Sequence, residues 1–183
     1  MRGGRACYLD LDGTLMGPGG CLLQGADGFS YDGARALELL AAAGVPVVLV
    51  SGRTRVQLVE VSRVVGAAGF IPELGALDSG YPAPPGRTVH EAIAATGMPD
   101  ELLRREPRLA PHRTGPWTRE GSHLFRGRAA AEVIAWVGEA SGGTLRLADN
   151  GVIDADGTHA WHLLPAGAGK GMAAMRDAHA RGA

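Results

Sequence analysis

Ala6-Cys7-Tyr8-Leu9-Asp10-Leu11-Asp12-Gly13-Thr14 is the stretch on which the reading of this chain turns. A short apolar run that ends in acid suits a buried strand, and Gly13 lets the backbone turn immediately after it. Working outward, residues 11–30 carry glycines at 13, 17, 19, 20, 25 and 28 and read as a long irregular excursion. Ser30 is placed to cap a helix with Asp32 in its first turn, Leu37, Leu40 and Ala41 on one face, and Gly44 at its end. Val45–Val50 is then a β-branched run interrupted only by Pro46 and Leu49, ending at Ser51-Gly52. A continuous apolar strand between helices is what a parallel sheet covered on both faces demands. Thr54–Val65 predicts a second helix with Leu58, Val61 and Val65 in register, and Gly69–Glu73 a third strand. Strand, helix, strand, helix, strand is the pattern of a right-handed parallel α/β unit.

The whole composition agrees. The chain has 183 residues, 45% hydrophobic and 20% charged, which excludes disorder driven by low hydrophobicity. Only 5% are aromatic, so the core has to be built from Leu, Val, Ile and Ala. Eighteen basic residues against nineteen acidic give a net charge of -1, without the strong basic excess of a nucleic-acid binder. No run reaches the length of a membrane span. Met1-Arg2-Gly3-Gly4-Arg5 leads directly into the first strand, and its apolar run is too short for a signal-peptide core. Cys7 and Cys21 make neither a disulfide framework nor a zinc spacing. The expectation is a cytoplasmic α/β protein with no nucleic-acid or membrane partner. Every basic residue but Lys170 is arginine, so that lysine marks a position where a compact ammonium is wanted and a guanidinium fork is not.

After Leu77 the texture changes. Tyr81-Pro82-Ala83-Pro84-Pro85-Gly86 reads as a linker, followed by one or two helices over residues 88–105 and a Pro- and Arg-rich stretch. Ser122–Phe125 reads as a strand and Arg128–Glu139 as a helix with Val133, Trp136 and Val137 on one face. Thr144–Ala148 and Gly151–Asp154 read as two strands joined at Asp149-Asn150. His159 and His162, three apart on a strand, point to opposite faces, make a poor metal pair and are taken as structural. The domain expectation is a core over 1–80, an inserted α+β unit over 81–163, and a return to the core over 164–183.

The chemistry sits in Asp10-Leu11-Asp12-Gly13-Thr14. Open α/β sheets bind ligands beyond the carboxyl ends of their strands. Two carboxylates there can converge on a magnesium ion, or divide the work of nucleophile and proton carrier. An acidic turn that merely ends a strand is the competing reading. Three features in order then carry a resemblance: the strand with Asp10–Thr14, the strand with Ser51-Gly52-Arg53, and Lys170 opening a helix. Together they resemble the haloacid dehalogenase superfamily of aspartate-nucleophile phosphatases. The fold this implies is α/β, a partial haloacid dehalogenase-like Rossmannoid parallel sheet with an inserted α+β cap domain. The insertion is similar to those of Cof-type and mannosyl-3-phosphoglycerate phosphatases, which often carry Glu-Asn-Gly where this chain has Glu73-Leu74-Gly75.

The resemblance implies roles. Asp10 would be the nucleophile and a magnesium ligand. Asp12 would move protons and bind the metal through its backbone carbonyl. Ser51 would hold a phosphoryl oxygen, and Lys170 would neutralise charge on the phosphoryl group and Asp10. Gly13, Thr14, Gly52 and Arg53 would contact the substrate, a small phosphorylated metabolite. Seven arginines (Arg104, Arg105, Arg108, Arg113, Arg119, Arg126 and Arg128) against Glu106 and Glu120 would favour a second anionic group on it, or form an ordinary solvated face.

The family's fourth motif, an acidic strand end after the lysine helix, has no counterpart between Gly171 and Ala183, where Asp177 is the only acid. The chain is therefore expected to be truncated, with its first strand at an open sheet edge suited to self-association. The expected function is a magnesium-dependent phosphatase working through an aspartyl-phosphate. A non-catalytic remnant acting as a binding subunit, or a phospho-acceptor receiver domain, are the rivals; Glu73 in place of an acceptor Asp argues against the receiver.

Overall fold

A computed structural model of the chain describes residues 6–113 and 118–182. The reading of Met1–Arg5 and part of the Pro- and Arg-rich stretch, 114–117, lie outside the described residues. The chain divides into two compact units: residues up to Leu74 together with those from Lys170 onward, and Gly75–Gly169.

The first unit is built on three parallel strands, β1 (Cys7–Asp10), β4 (Val47–Val50) and β5 (Gly69–Ile71), in the order β1-β4-β5. Between β1 and β4 lie a short hairpin, β2 (Gln24–Gly25) and β3 (Gly28–Phe29), and helix α1 (Asp32–Ala42). Helix α2 (Arg55–Val64) joins β4 to β5, and α6 (Lys170–Ala180) closes the unit. All four residues of β4 are buried, and their alternation divides them between two cores. Val47 and Leu49 pack with Leu11, Leu15 and Leu58, flanked by Leu37 and Leu40 of α1 and Val61 of α2. Val48 and Val50 pack with Ile71 and Ala173 of α6. That double burial is why the run reads as continuously apolar.

Local sequence sets the ends of these elements. Thr54 caps α2 in a reciprocal box: its hydroxyl accepts from the Gln57 amide while Gln57 accepts from the Thr54 amide at 2.9 Å. The start of α1 differs from the expectation: Tyr31 occupies the cap position without a side-chain bond, and Ser30, one residue earlier, accepts from the Asp32 amide at 3.0 Å. Leu37 and Leu40 face the core as expected, whereas Ala41 is exposed. The third strand is shorter than Gly69–Glu73, because Glu73 and Leu74 adopt left-handed backbone, φ 48° and 57°. The excursion after β1 is also more ordered than expected, since it contains the β2–β3 hairpin.

The second unit is a four-stranded antiparallel sheet, β6 (Leu109–Pro111), β7 (His123–Gly127), β9 (His159–Pro165) and β8 (Leu145–Val152), in the order β6-β7-β9-β8. Helices α3 (Val89–Ala95), α4 (Met98–Arg105) and α5 (Ala131–Ala140) accompany it. Ile93, Leu102, Val133, Val137, Phe125 and Leu163 are among the residues of their common core. The two strands expected over 144–154 are one. A bulge between Asp149 and Val152 absorbs Asn150 and Gly151, the latter at φ 95°, while pairing with β9 continues on both sides. His162 is buried beside Ser122, 3.3 Å from its hydroxyl, and His159 sits at the rim within 2.8 Å of Asp149.

Glu106 is the most heavily committed acid of this unit. It is 3% exposed and accepts from Arg108 Nε and Nη2, both at 2.7 Å, and from the Ala130 amide at 3.0 Å. The Arg108 hydrogen bonds, against the opposing effect of burial, hold its pKa at about 2, below the ordinary 4.5. A depressed carboxylate contributes stability that is present above its unfolded pKa and lost as pH falls through the folded one. Glu106→Gln is expected to destabilise this unit by about 1.5–3 kcal/mol at neutral pH. Urea unfolding at pH 7 and pH 3 checks it: the gap between parent and variant should narrow at the lower pH.

Candidate active site

The site follows from the strand ends. In register, Asp10 of β1 lies beside Val50 of β4, and Val50 beside Ile71 of β5. The segments that leave the sheet at this edge are therefore Leu11–Thr14, Ser51–Thr54 and Pro72–Leu74. The last two are stitched together by backbone bonds: the Ser51 amide donates to the Ile71 carbonyl, Leu74 to Ser51 and Glu73 to Arg53, all within 2.9–3.0 Å.

Asp10 is held on both oxygens. Oδ1 accepts the Leu11 amide at 2.8 Å, and Oδ2 accepts Lys170 Nζ at 2.6 Å, across 160 positions of sequence. Each side chain of the pair keeps about a third of its surface open, 34% for Asp10 and 35% for Lys170. Lys170 reaches Asp10 because α6 is anchored on the face of β1. The Tyr8 hydroxyl donates to Asp177 Oδ2 at 2.8 Å, and Arg181 Nε donates to the same oxygen at 2.5 Å. Burial of Asp177 works against its ionisation, but the Arg181 and Tyr8 hydrogen bonds outweigh it and lower its pKa. Burial first, and the bond to Asp177 second, raise that of Tyr8.

Asp12 is held differently. Arg53 grips it with both arms of its fork, Nε to Oδ2 at 2.9 Å and Nη2 to Oδ1 at 2.5 Å. The turn Pro18–Gly20 backs this pair: a Cβ on Gly20 would stand 2.6 Å from Arg53 Nη2, and Gly20 also has φ +71°. Gly13 turns the chain at φ +78°, but its amide donates to the Met16 carbonyl at 2.8 Å, so its contribution is conformational. Thr14 is exposed and Gly52 buried at the same strand ends. Ser51 is 1% exposed, and its hydroxyl oxygen accepts the Arg53 amide at 3.1 Å, which leaves its proton to give.

The expected residues Asp10, Asp12, Arg53 and Lys170 are thus linked pairwise, with Ser51 bonded to the Arg53 backbone. Sequence reasoning gave no role to Glu73. It is fully buried, with φ 48°, just past β5, and a non-glycine residue in left-handed backbone at a strand end is strain of the kind that collects at functional sites. Its signal was Glu73-Leu74-Gly75 directly after an apolar strand.

Magnesium takes oxygen ligands and is commonly held by one or two carboxylates with substrate phosphates and water. The Asp10 carboxylate and the Asp12 backbone carbonyl are hard oxygen donors on consecutive turns of one strand end. The Asp12 carbonyl is left out of the local bridge to Met16, which uses Leu11 and Gly13 instead. Among the described residues no group of three His, Cys, Asp or Glu side chains stands close enough to hold a metal alone. Asp10 and the Asp12 carbonyl have the donor chemistry of ligands to an ion that completes its shell with phosphoryl oxygens and water.

Among solved structures the chain is similar to the Thermoplasma acidophilum protein 0175, at 20% identity and TM-score 0.62, over 98% of this chain and 72% of that one. It is similar to a haloacid dehalogenase-like hydrolase from B. subtilis, at 16% identity and TM-score 0.57, over 96% and 78%. It also resembles a Bacteroides thetaiotaomicron protein described among phosphatases of the haloalkanoate (HAD) enzyme superfamily, at 17% identity and TM-score 0.56, over 97% and 73%. No family model matches the sequence, and neither does any curated protein. The chain has the haloacid dehalogenase-like fold, a Rossmannoid parallel sheet with an inserted α+β unit. At these identities the likeness is one of fold alone.

Proposed function

We propose that this protein is a magnesium-dependent phosphatase that hydrolyses a small phosphomonoester through an aspartyl-phosphate. The observation that carries the reading is the Asp10–Lys170 pair: a carboxylate at a parallel strand end, partly open to solvent and steadied by the only lysine in the chain.

In the first step an Asp10 oxygen bonds to phosphorus and the bond from phosphorus to the leaving oxygen breaks. Asp12, once released from Arg53 and protonated from solvent, gives that proton to the leaving oxygen. In the second step water attacks phosphorus, Asp12 takes the proton back, and the Asp10–phosphorus bond breaks to release phosphate. Lys170 and the Ser51 hydroxyl meet negative charge on the transferring group, which is where most of the stabilisation of phosphoryl transfer is made. The amides of Asp12 and Thr14 are further candidate donors at the turn. Arg53 holds Asp12 in the unliganded chain and exchanges that carboxylate for the phosphoryl oxygens when substrate enters, freeing Asp12 for proton transfer. Asp10 and the Asp12 carbonyl would hold magnesium, which would supply charge neutralisation at the phosphoryl oxygens.

The arginines of residues 104–128 are largely engaged within their own unit. Arg104 pairs with Glu101, Arg108 with Glu106 and Arg126 with Asp154; Arg105 lies over Trp136 at 4.8 Å, and Arg128 donates to the Asp156 carbonyl. The substrate is accordingly a phosphomonoester without a second anionic group.

The test is phosphate release from p-nitrophenyl phosphate with magnesium and after chelation. Turnover that requires the metal supports the reading. Its absence under both conditions favours a non-catalytic binding subunit. Asp12→Asn separates the two steps: p-nitrophenolate leaves without a proton, so the first step survives while the second loses its base. Rapid mixing should show a burst of about one equivalent, followed by turnover slowed roughly 10²–10⁴-fold. A uniformly slow reaction with no burst would remove the proton-carrying role from Asp12. No helix among the described residues is long and apolar enough to cross a membrane.

A further inference from the structure

The three-stranded and four-stranded sheets end in β1, β5, β6 and β8, and three of these four edges are protected. An edge strand presents unpaired N–H and C=O groups to any passing strand, and proteins blunt it with short length, proline, a bulge or charge. β6 is three residues long and ends at Pro111. β8 carries the bulge between Asp149 and Val152. β5 is also three residues long, and the Arg181 guanidinium lies over its first residue: a Cβ on Gly69 would stand 2.8 Å from Arg181 Nη2. β1 has none of these devices. Cys7–Asp10 pairs with β4 without a break and contains no proline, and its one charge, Asp10, is met by Lys170.

The direction of the unused groups is fixed by one bond. The Cys7 amide donates to the Pro46 carbonyl at 2.8 Å. Backbone groups alternate in direction along a strand, so those of Cys7 and Leu9 face β4, and those of Ala6, Tyr8 and Asp10 face away. No described strand pairs with β1 on that side. Burial agrees: every residue of β1 is half-buried, whereas every residue of β4, one strand further in, is buried.

We propose that β1 pairs with β1 of a second copy of this chain, antiparallel about a two-fold axis at Tyr8, so that the two three-stranded sheets become one. Tyr8 then exchanges both backbone bonds with the second copy's Tyr8, and Asp10 exchanges both with the second copy's Ala6. A two-fold interface requires a surface that is its own complement, and this edge is one. The two Tyr8 rings stand directly opposite each other, a favourable cross-strand pair. The register also keeps like charges apart, because Asp10 lies opposite alanine rather than a second aspartate. A net charge of -1 on each chain leaves little repulsion between copies. The inference uses the strand edge alone and does not rest on the phosphatase reading.

The test is the mass of the full chain by sedimentation equilibrium, from low micromolar to hundreds of micromolar. A concentration-dependent rise from one chain mass to two is expected. Tyr8→Lys sets two ammonium groups against each other across the axis, while each keeps Asp177, the present partner of the Tyr8 hydroxyl, beside it. It should weaken association about tenfold or more, with the circular dichroism of the parent. The register is tested separately, by Leu9→Cys in a Cys21→Ser background. In the proposed pair Leu9 stands opposite the second copy's Cys7 at a non-hydrogen-bonded position, about 4.5 Å between Cα atoms, which is within disulfide reach. Mild oxidation should therefore give a reducible covalent dimer. Cys21→Ser alone should give far less, since each Cys7 thiol then faces a leucine. If Tyr8→Lys fails to fold, the crosslink decides alone. One chain mass at every concentration, undiminished association in a folded Tyr8→Lys, or a dimer that does not crosslink through Leu9→Cys overturns the proposal.

Discussion

Asp10→Asn should lose magnesium-dependent phosphate release by roughly 10⁴-fold or more, the scale on which removal of a nucleophile acts. The substitution is close to isosteric, so its effect is chemical. An amide oxygen can still accept the Leu11 amide that now bonds Oδ1 at 2.8 Å. It cannot attack phosphorus, and its NH₂ group would face the Lys170 ammonium, which now meets an oxygen at 2.6 Å. Stability should hardly move. The pair is about one-third exposed on each side, and ion pairs so open to solvent contribute about 0–1 kcal/mol. The decisive result is therefore a thermal unfolding curve like the parent's beside an activity trace at background. Retained turnover with an unchanged fold would move the nucleophile away from Asp10. Loss of both fold and turnover would mean that Asp10 had been misread as partly exposed and weakly structural.

The parts of the molecule that could be read from the chain are those where one local rule decides. The apolar run Val45–Val50 has to hold a strand covered on both faces because no polar position alternates within it; the strand occupies Val47–Val50, and both of its faces are packed. Thr54 with Gln57 three positions later writes the start of α2 as a reciprocal cap. The residues of the candidate site could be picked out in the same way, as acids and a serine following apolar strands, and the lysine stood out because every other basic residue is arginine. The features that could not be read depend on partners far away in sequence. Whether Asn150-Gly151 ends a strand or bulges within one is settled by β9, which continues to pair on both sides of it. The Asp12–Arg53 pair needs the register of β1 on β4 before Asp12 and Arg53, 41 positions apart, can meet. Arg53 could be read from sequence only as a residue near the substrate. In the proposed reaction its two-armed hold on Asp12 would add a conformational step, because a carboxylate bound on both oxygens has to be released before it can carry a proton.

Lys170→Met should lower the rate of phosphate release about 10²–10³-fold, the usual consequence of removing one fixed positive group from a developing anionic centre. The physical case for a catalytic role lies in where this charge stands. Lys170 is the first residue of α6, and a cation at a helix N-terminus opposes the helix dipole by about 0.3–1 kcal/mol. Methionine preserves the length and apolar stem of the side chain while removing that opposition. The variant should therefore be as stable as the parent, or slightly more so, while losing activity. Tyr8 of β1 still holds α6 through Asp177, so the helix has its own anchor without the lysine. Lys170→Arg is the sharper comparison, because it keeps the charge and changes only its shape. At 2.6 Å the ammonium makes a single close contact with Asp10 Oδ2. A guanidinium is planar and wider, and prefers to grip both carboxylate oxygens, one of which is already committed to the Leu11 amide. Arginine should therefore restore less than about a tenth of the activity lost in the methionine variant, as expected where a bidentate fork replaces a point charge. Full activity with arginine would show that only charge is needed at position 170, and the survival of one lysine in an arginine-rich chain would then need another cause.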